Sequence, residues 1–136
     1  MIFSAMKHGS RHEIPADLRA RLETARLELL ALFRALDRMD LSPAEIPQHL
    51  IRQLFQLDAD YAEALWALDQ PPGSFDVKAM LRDTLAALNQ LPEAIARFRK
   101  NLAPRAHPGL EDLEASVRKT LDPREAYNQV PGRDPR

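Results

Sequence analysis

An antiparallel bundle of four to six helices, forming a single all-α domain with extended termini, is the fold this sequence predicts. Three observations point there. Leucines recur at alternating spacings of four and three through residues 15–39, the 3.5-residue period of a bundle seam. Leu and Ala dominate the apolar set and β-branched residues are scarce, which favours helix over strand. Proline and glycine, at Ser42-Pro43, Pro71-Pro72-Gly73 and Pro104 to Pro108, cut the chain into helix-sized lengths. A chain of 136 residues can bury one core unaided, and with Cys 0 it has no disulfide, thiolate metal site or cysteine nucleophile.

Residues 1–14 show no sustained period and carry Gly9 and Ser10 at their middle, so they read as a leader. Ile2, Phe3 and Met6 are its only apolar anchors. No apolar run follows Lys7 and Arg11, which predicts no secretory signal and a cytoplasmic protein. The domain proper is expected over 15–121. Its first helix, 15–39, opens near Pro15 and carries the seam Leu18, Leu22, Ala25, Leu29, Leu32, Leu36 and Met39. Asp17 and Arg21 form a favourable i,i+4 pair, while Arg19, Glu23, Arg34 and Arg38 lie well off the seam. Leu27 and Leu30 fall outside it. They predict a second contact, with a neighbouring helix or with another copy of the chain.

Ser42, Pro43 and Glu45 make a capping box that opens a second helix over 43–69, with Pro47 close enough to its start to cost little. Leu50, Leu54, Leu57, Tyr61, Leu65 and Leu68 share one side, and Ile51, Phe55, Ala62 and Trp66 widen it to half the circumference or more. A helix that apolar belongs between neighbours. Asp58 falls inside the apolar arc, where a lone carboxylate is expensive. Two solutions stand: a break, with Asp60 capping a new helix and Glu63 completing its box, or a continuous helix with Asp58 at a wet edge.

Ser74 or Asp76 caps a third helix, 76–102, with the stripe Val77, Leu81, Leu85, Leu88, Leu91, Ile95, Phe98 and Leu102. Pro92 interrupts it at a cost of about 3 kcal/mol in a helix interior. That predicts a kink or a tight helix-turn-helix, and a rotating stripe favours the change of direction. After a linker, residues 109–121 form a short helix on Leu110, Leu113, Val117 and Leu121, with Glu111, Asp112 and Glu114 early and Arg118 and Lys119 late, as the macrodipole prefers. Residues 122–136 read as a polar tail, with Tyr127 and Val130 as anchors. The fragments LDADYAEALWALD (57–69) and LPEAIARFRKNLAP (91–104) resemble the two helices of a tetratricopeptide repeat, through Ala64, Leu68, Ala94 and Phe98. No short turn joins them and no repeat of that length recurs, so no family follows.

Function is thinly written. Lys+Arg 19 against Asp+Glu 20 gives a net charge of −1, so no global field draws nucleic acid or an anionic membrane, and no apolar run reaches the roughly 18 residues of a span. His8, His12 and Glu13 have zinc-like spacing, but Gly9 and Ser10 oppose the helix it needs. Glu45 and His49 stand four apart, not the three of di-iron bundles. Asp58, Asp60 and Glu63 are the tightest acidic group, and a metal-dependent bundle enzyme around them is the weakest of three readings. Arg97, Arg99, Lys100, Arg105 and His107, with Arg118 and Lys119, form a basic cluster that would suit a small nucleic-acid-associated regulator, the second reading. The first is a non-enzymatic protein-interaction or regulatory module without a cofactor, self-associating as a homodimer through Leu27 and Leu30.

Overall fold

The computed structural model describes residues 14–71 and 73–121. They form four α-helices: α1 (Leu18–Met39), α2 (Gln48–Leu68), α3 (Val77–Lys100) and α4 (Leu110–Thr120). Single 3-10 turns at Pro43–Glu45 and Pro104–Ala106 stand in the first and third connections. The helices pack as an antiparallel bundle in which α1 lies against both α2 and α4, and α2 lies between α1 and α3. No helix among the described residues is long and apolar enough to cross a membrane. The leader positions His8, His12 and Glu13 and the tail anchors Tyr127 and Val130 lie outside the described residues.

The α1 seam is the core of the molecule: Leu18, Leu22, Ala25, Leu29, Leu32 and Leu36 are all buried. The helix starts at Leu18 rather than Pro15, with the Leu18 N–H on the Pro15 carbonyl at 3.1 Å. It ends at Asp40, which takes a left-handed conformation (φ 53°) and donates its N–H to the Asp37 carbonyl. The second contact foreseen for α1 exists within the chain, because α4 packs along it and buries Ala31 and Ala35. Leu27 and Leu30 are only half-buried.

The capping box is present but opens only the 3-10 turn. Its helix stops because the ring of Pro47 disfavours helical backbone at the residue before it, and Ile46 is extended (φ −112°, ψ 127°). The helix expected over 43–69 therefore begins at Gln48, with Pro47 as its N-cap residue. From there α2 is unbroken to Leu68, so Asp60 caps nothing: it sits mid-helix and accepts from Gln56 Nε2 at 3.0 Å. Leu50, Leu54, Leu57, Tyr61 and Leu65 are buried as the period requires, and the Tyr61 hydroxyl reaches α3, donating to the Ala87 carbonyl at 2.7 Å. Burial pushes that phenol well above its ordinary range, with the carboxylates of Asp60 and Asp58 adding to the effect. Phe55 and Trp66 do not join the core; 52% and 53% of their surfaces remain exposed.

Asp76 caps α3 by accepting from the Ala79 N–H at 3.2 Å. Pro92 does not end the helix, so there is no helix-turn-helix, and the proline itself is exposed. Thr84, Ala87, Leu88, Leu91, Ala94 and Phe98 form one buried stripe across the proline, and that packing outweighs the missing bond. The apparent rotation came from counting only large side chains; Leu81, Leu85 and Ile95 flank a stripe centred on Thr84, Ala87 and Ala94. The two repeat-like fragments thus lie over the C-terminal parts of long helices, α2 and α3, and run past their ends.

Candidate functional site

The half-buried carboxylate of α2, Asp58, has its answer on α1. Arg26 Nε donates to Asp58 Oδ1 at 2.9 Å and Nη2 to Oδ2 at 3.1 Å, a bidentate pair whose arginine side chain is 1% exposed. Asp58 is thus not a helix breaker: the helix runs on through it, and the carboxylate, partly exposed at the edge of the interface, is spent on this ion pair. The signal lay in the sequence: Arg26 follows the seam residue Ala25 and stands between Leu22 and Leu29, a cation in one apolar arc awaiting an anion in another. The pair also divides the acidic group. Asp58 faces α1, whereas Asp60 and Glu63 line a hollow toward α3 with Asp83 and Thr84. Among the described residues no group of three or more His, Asp or Glu is placed to hold a metal ion.

The basic cluster is largely spent inside the chain. Arg99 makes a second bidentate pair, Nη1 to Glu114 Oε1 at 2.6 Å and Nη2 to Oε2 at 2.8 Å, which ties α3 to α4 and keeps Glu114 buried. Arg97 pairs with Glu93 one turn back at 3.2 Å. Arg105 holds Glu45 through Nε and, at 2.7 Å, through Nη2. His107 Nε2 meets the Leu102 carbonyl at 3.1 Å. Exposed Lys100 lines an open cleft of about 530 Å³ at the α3–α4 corner, shared with Glu111 and Asp112. Three of the four predicted phosphate contacts are thus engaged with carboxylates, and in place of the helix-turn-helix that would have presented them stands one continuous helix.

The Arg105–Glu45 contact belongs to a clasp between the two 3-10 turns, completed by the Ala103 N–H donating to the Glu45 carbonyl at 3.2 Å. Glu45 also accepts from the Ser42 N–H at 2.9 Å, while His49 stands exposed and apart from it. The Arg105 guanidinium, aided by that N–H, pulls the Glu45 carboxyl from its ordinary 4.5 down to about 2. A depressed carboxyl stabilises the fold above its unfolded value and loses that contribution as pH falls through the folded one. Arg105→Ala is therefore expected to lower the thermal midpoint slightly at neutral pH, with the gap to wild type closing between pH 4.5 and about 2. Paired melts across that range check it; a gap that widens in acid would contradict it.

The face that remains open is apolar. Among the described residues, Phe55 and Trp66 are the large hydrophobic side chains left exposed, and both stand on the outer side of α2 toward α1. Eleven residues separate them, three helical turns and about 16 Å. Phe55 leans on Phe33 of α1, ring centroids 4.6 Å apart and planes tilted by 40°. The two rings line a cleft of about 250 Å³ with Leu36, Leu41, Ile46 and Ile51, and Asp37 and Asp40 edge it. Leu30, three residues before Phe33, is its neighbour on the α1 surface, and Leu27 is Leu30's in turn. Phe55 and Trp66, which the sequence had assigned to the core, are the exposed aromatic side chains of this face.

Comparison with protein families, with curated proteins and with solved structures finds no match for this chain, so its function must be argued from this face and from the pairing of its charges.

Proposed function

We propose that this chain is a non-enzymatic helical module that works by binding a protein chain on the α1–α2 face. The observation that carries the reading is exposed Phe55 resting on Phe33, itself half-buried against the core, with exposed Trp66 three turns along the same side of α2. Large aromatics at a solvent-facing surface carry much of the energy of protein recognition, because they bury wide area while losing few rotamers. Leu30 and Leu27 extend the patch, and polar residues such as Arg52, Gln56 and Glu63 border it, as an apolar centre with a polar rim requires. The paired state of Arg97, Arg99 and Arg105 weighs against a phosphate-binding alternative.

A tagged copy, expressed in the cells from which the sequence comes, tests this. Wild type is expected to bring down a protein chain in stoichiometric amount, either another protein or an untagged copy of itself. The variant carrying Phe55→Glu and Trp66→Glu is expected to keep its helicity and recover at least tenfold less. Equal recovery by the two would overturn the reading.

A further inference from the structure

The open side of α2 has a period and a symmetry. Arg52, Phe55, Ala59, Ala62, Trp66 and Asp69 follow one another at spacings of 3, 4, 3, 4 and 3, the period that keeps residues on one seam between two supercoiled helices. This is a second seam on α2, distinct from the one that faces the core. Read from either end it has the same order of types: a charge, an aromatic ring, an alanine, an alanine, an aromatic ring, a charge. The two charges are of opposite sign, and both residues are exposed. Ala62 is buried on its floor and Ala59 is half-buried, so the middle of the seam is low and its two ends stand proud.

We propose that the occupant of this face is a second copy of the chain, its α2 laid antiparallel on the first about a two-fold axis passing between Ala59 and Ala62. The inference rests on the interaction reading above and names its partner. Setting Phe55 against Trp66 of the second copy brings Arg52 onto Asp69 and places Ala59, over the fully buried Ala62, at the crossing, and the two-fold repeats each contact. Small residues at the crossing let the helices approach closely, so that each aromatic ring seats beyond the crossing rather than holding the backbones apart. Asp69 already carries Arg19 of its own chain at 2.5 Å, and a carboxylate accommodates a second cation. A parallel pairing would set Arg52 on Arg52 and Asp69 on Asp69, like charges at both ends, which specifies against it. Phe33 and Leu30 of α1, beside Phe55, widen the contact beyond one helix. The dimer expected from the sequence is thus centred on α2, with Leu30 at its flank.

Light scattering behind a sizing column gives the first test. Wild type at tens of micromolar is expected at about twice 15.4 kDa. Phe55→Glu, and separately Ala59→Arg, are expected to run as single chains with unchanged helicity, their self-association weakened at least tenfold. Ala59→Arg keeps the test open if Phe55→Glu unfolds, since it adds to the outer side of a helix and removes nothing from the core. Orientation is read by cross-linking, because the chain has no cysteine of its own. Mixed Arg52→Cys and Asp69→Cys chains are expected to join through a short bis-thiol linker, whereas neither joins itself: in the antiparallel pair like positions lie about 25 Å apart along the helices. Self-joining by either variant alone would overturn the antiparallel pairing. A wild-type mass of one chain at every concentration would overturn the second copy; recovery of a different protein by the tagged chain would then leave the interaction reading standing.

Discussion

Asp58→Ala is expected to destabilise the bundle by about 3–5 kcal/mol, because it strands the charge of Arg26 in the α1–α2 interface. Arg26 is 1% exposed and Asp58 23%, so the cation left behind has almost no route to water. The cost is that of an unpaired buried charge and is not the net worth of the pair. Arg26 Nη1 is buried without a hydrogen-bond partner even in the intact structure, so the pair itself is incompletely satisfied. Replacing both residues together, Arg26→Met with Asp58→Leu, is accordingly expected to cost little or even to stabilise. Urea unfolding of Asp58→Ala and of the double variant decides it. A loss below about 1 kcal/mol for Asp58→Ala would show that Arg26 finds water after all.

Leu54→Ala is expected to cost about 2–5 kcal/mol, since Leu54 is fully buried where α2 meets the core and its truncation leaves a cavity that close-packed neighbours cannot fill. Leu85, assigned to the same kind of apolar stripe in α3, is only half-buried. For Leu85→Ala the expected loss is closer to 1 kcal/mol, the transfer term of part of a side chain with little cavity beneath it. The same urea series measures both. Equal losses would mean that the α3 stripe is centred on Leu85 rather than on Thr84, Ala87 and Ala94.

Periodicity carried most of the fold. The α1 seam, the inner side of α2, the punctuation before Asp76 and the stripe from Leu110 to Val117 could all be read because each depends on one helix alone. What failed depended on a second. Asp58 looked homeless until α1 supplied Arg26, and Pro92 looked like a break until α2 gave α3 one continuous surface to bury against. Phe55 and Trp66 looked like core because hydrophobicity does not say how many neighbours a helix has; with α1 on one side and α3 on another, the remaining edge of α2 stays open. The pairing of the basic cluster was hidden likewise, since its carboxylate partners Glu45 and Glu114 lie 60 and 15 residues away in sequence.

Trp66 is the single tryptophan in the chain, and its indole reports most directly whether the α1–α2 face is covered when the protein works. Hydroxyl-radical footprinting compares its oxidation in two settings: the purified chain at nanomolar concentration, and the same chain at its native level inside the cell. The expected result is strong modification in the dilute protein and several-fold protection in the cell, with exposed His49, on α2 but off this face, modified equally in both. Equal modification of Trp66 in the two settings would contradict the central claim that this face exists to be bound.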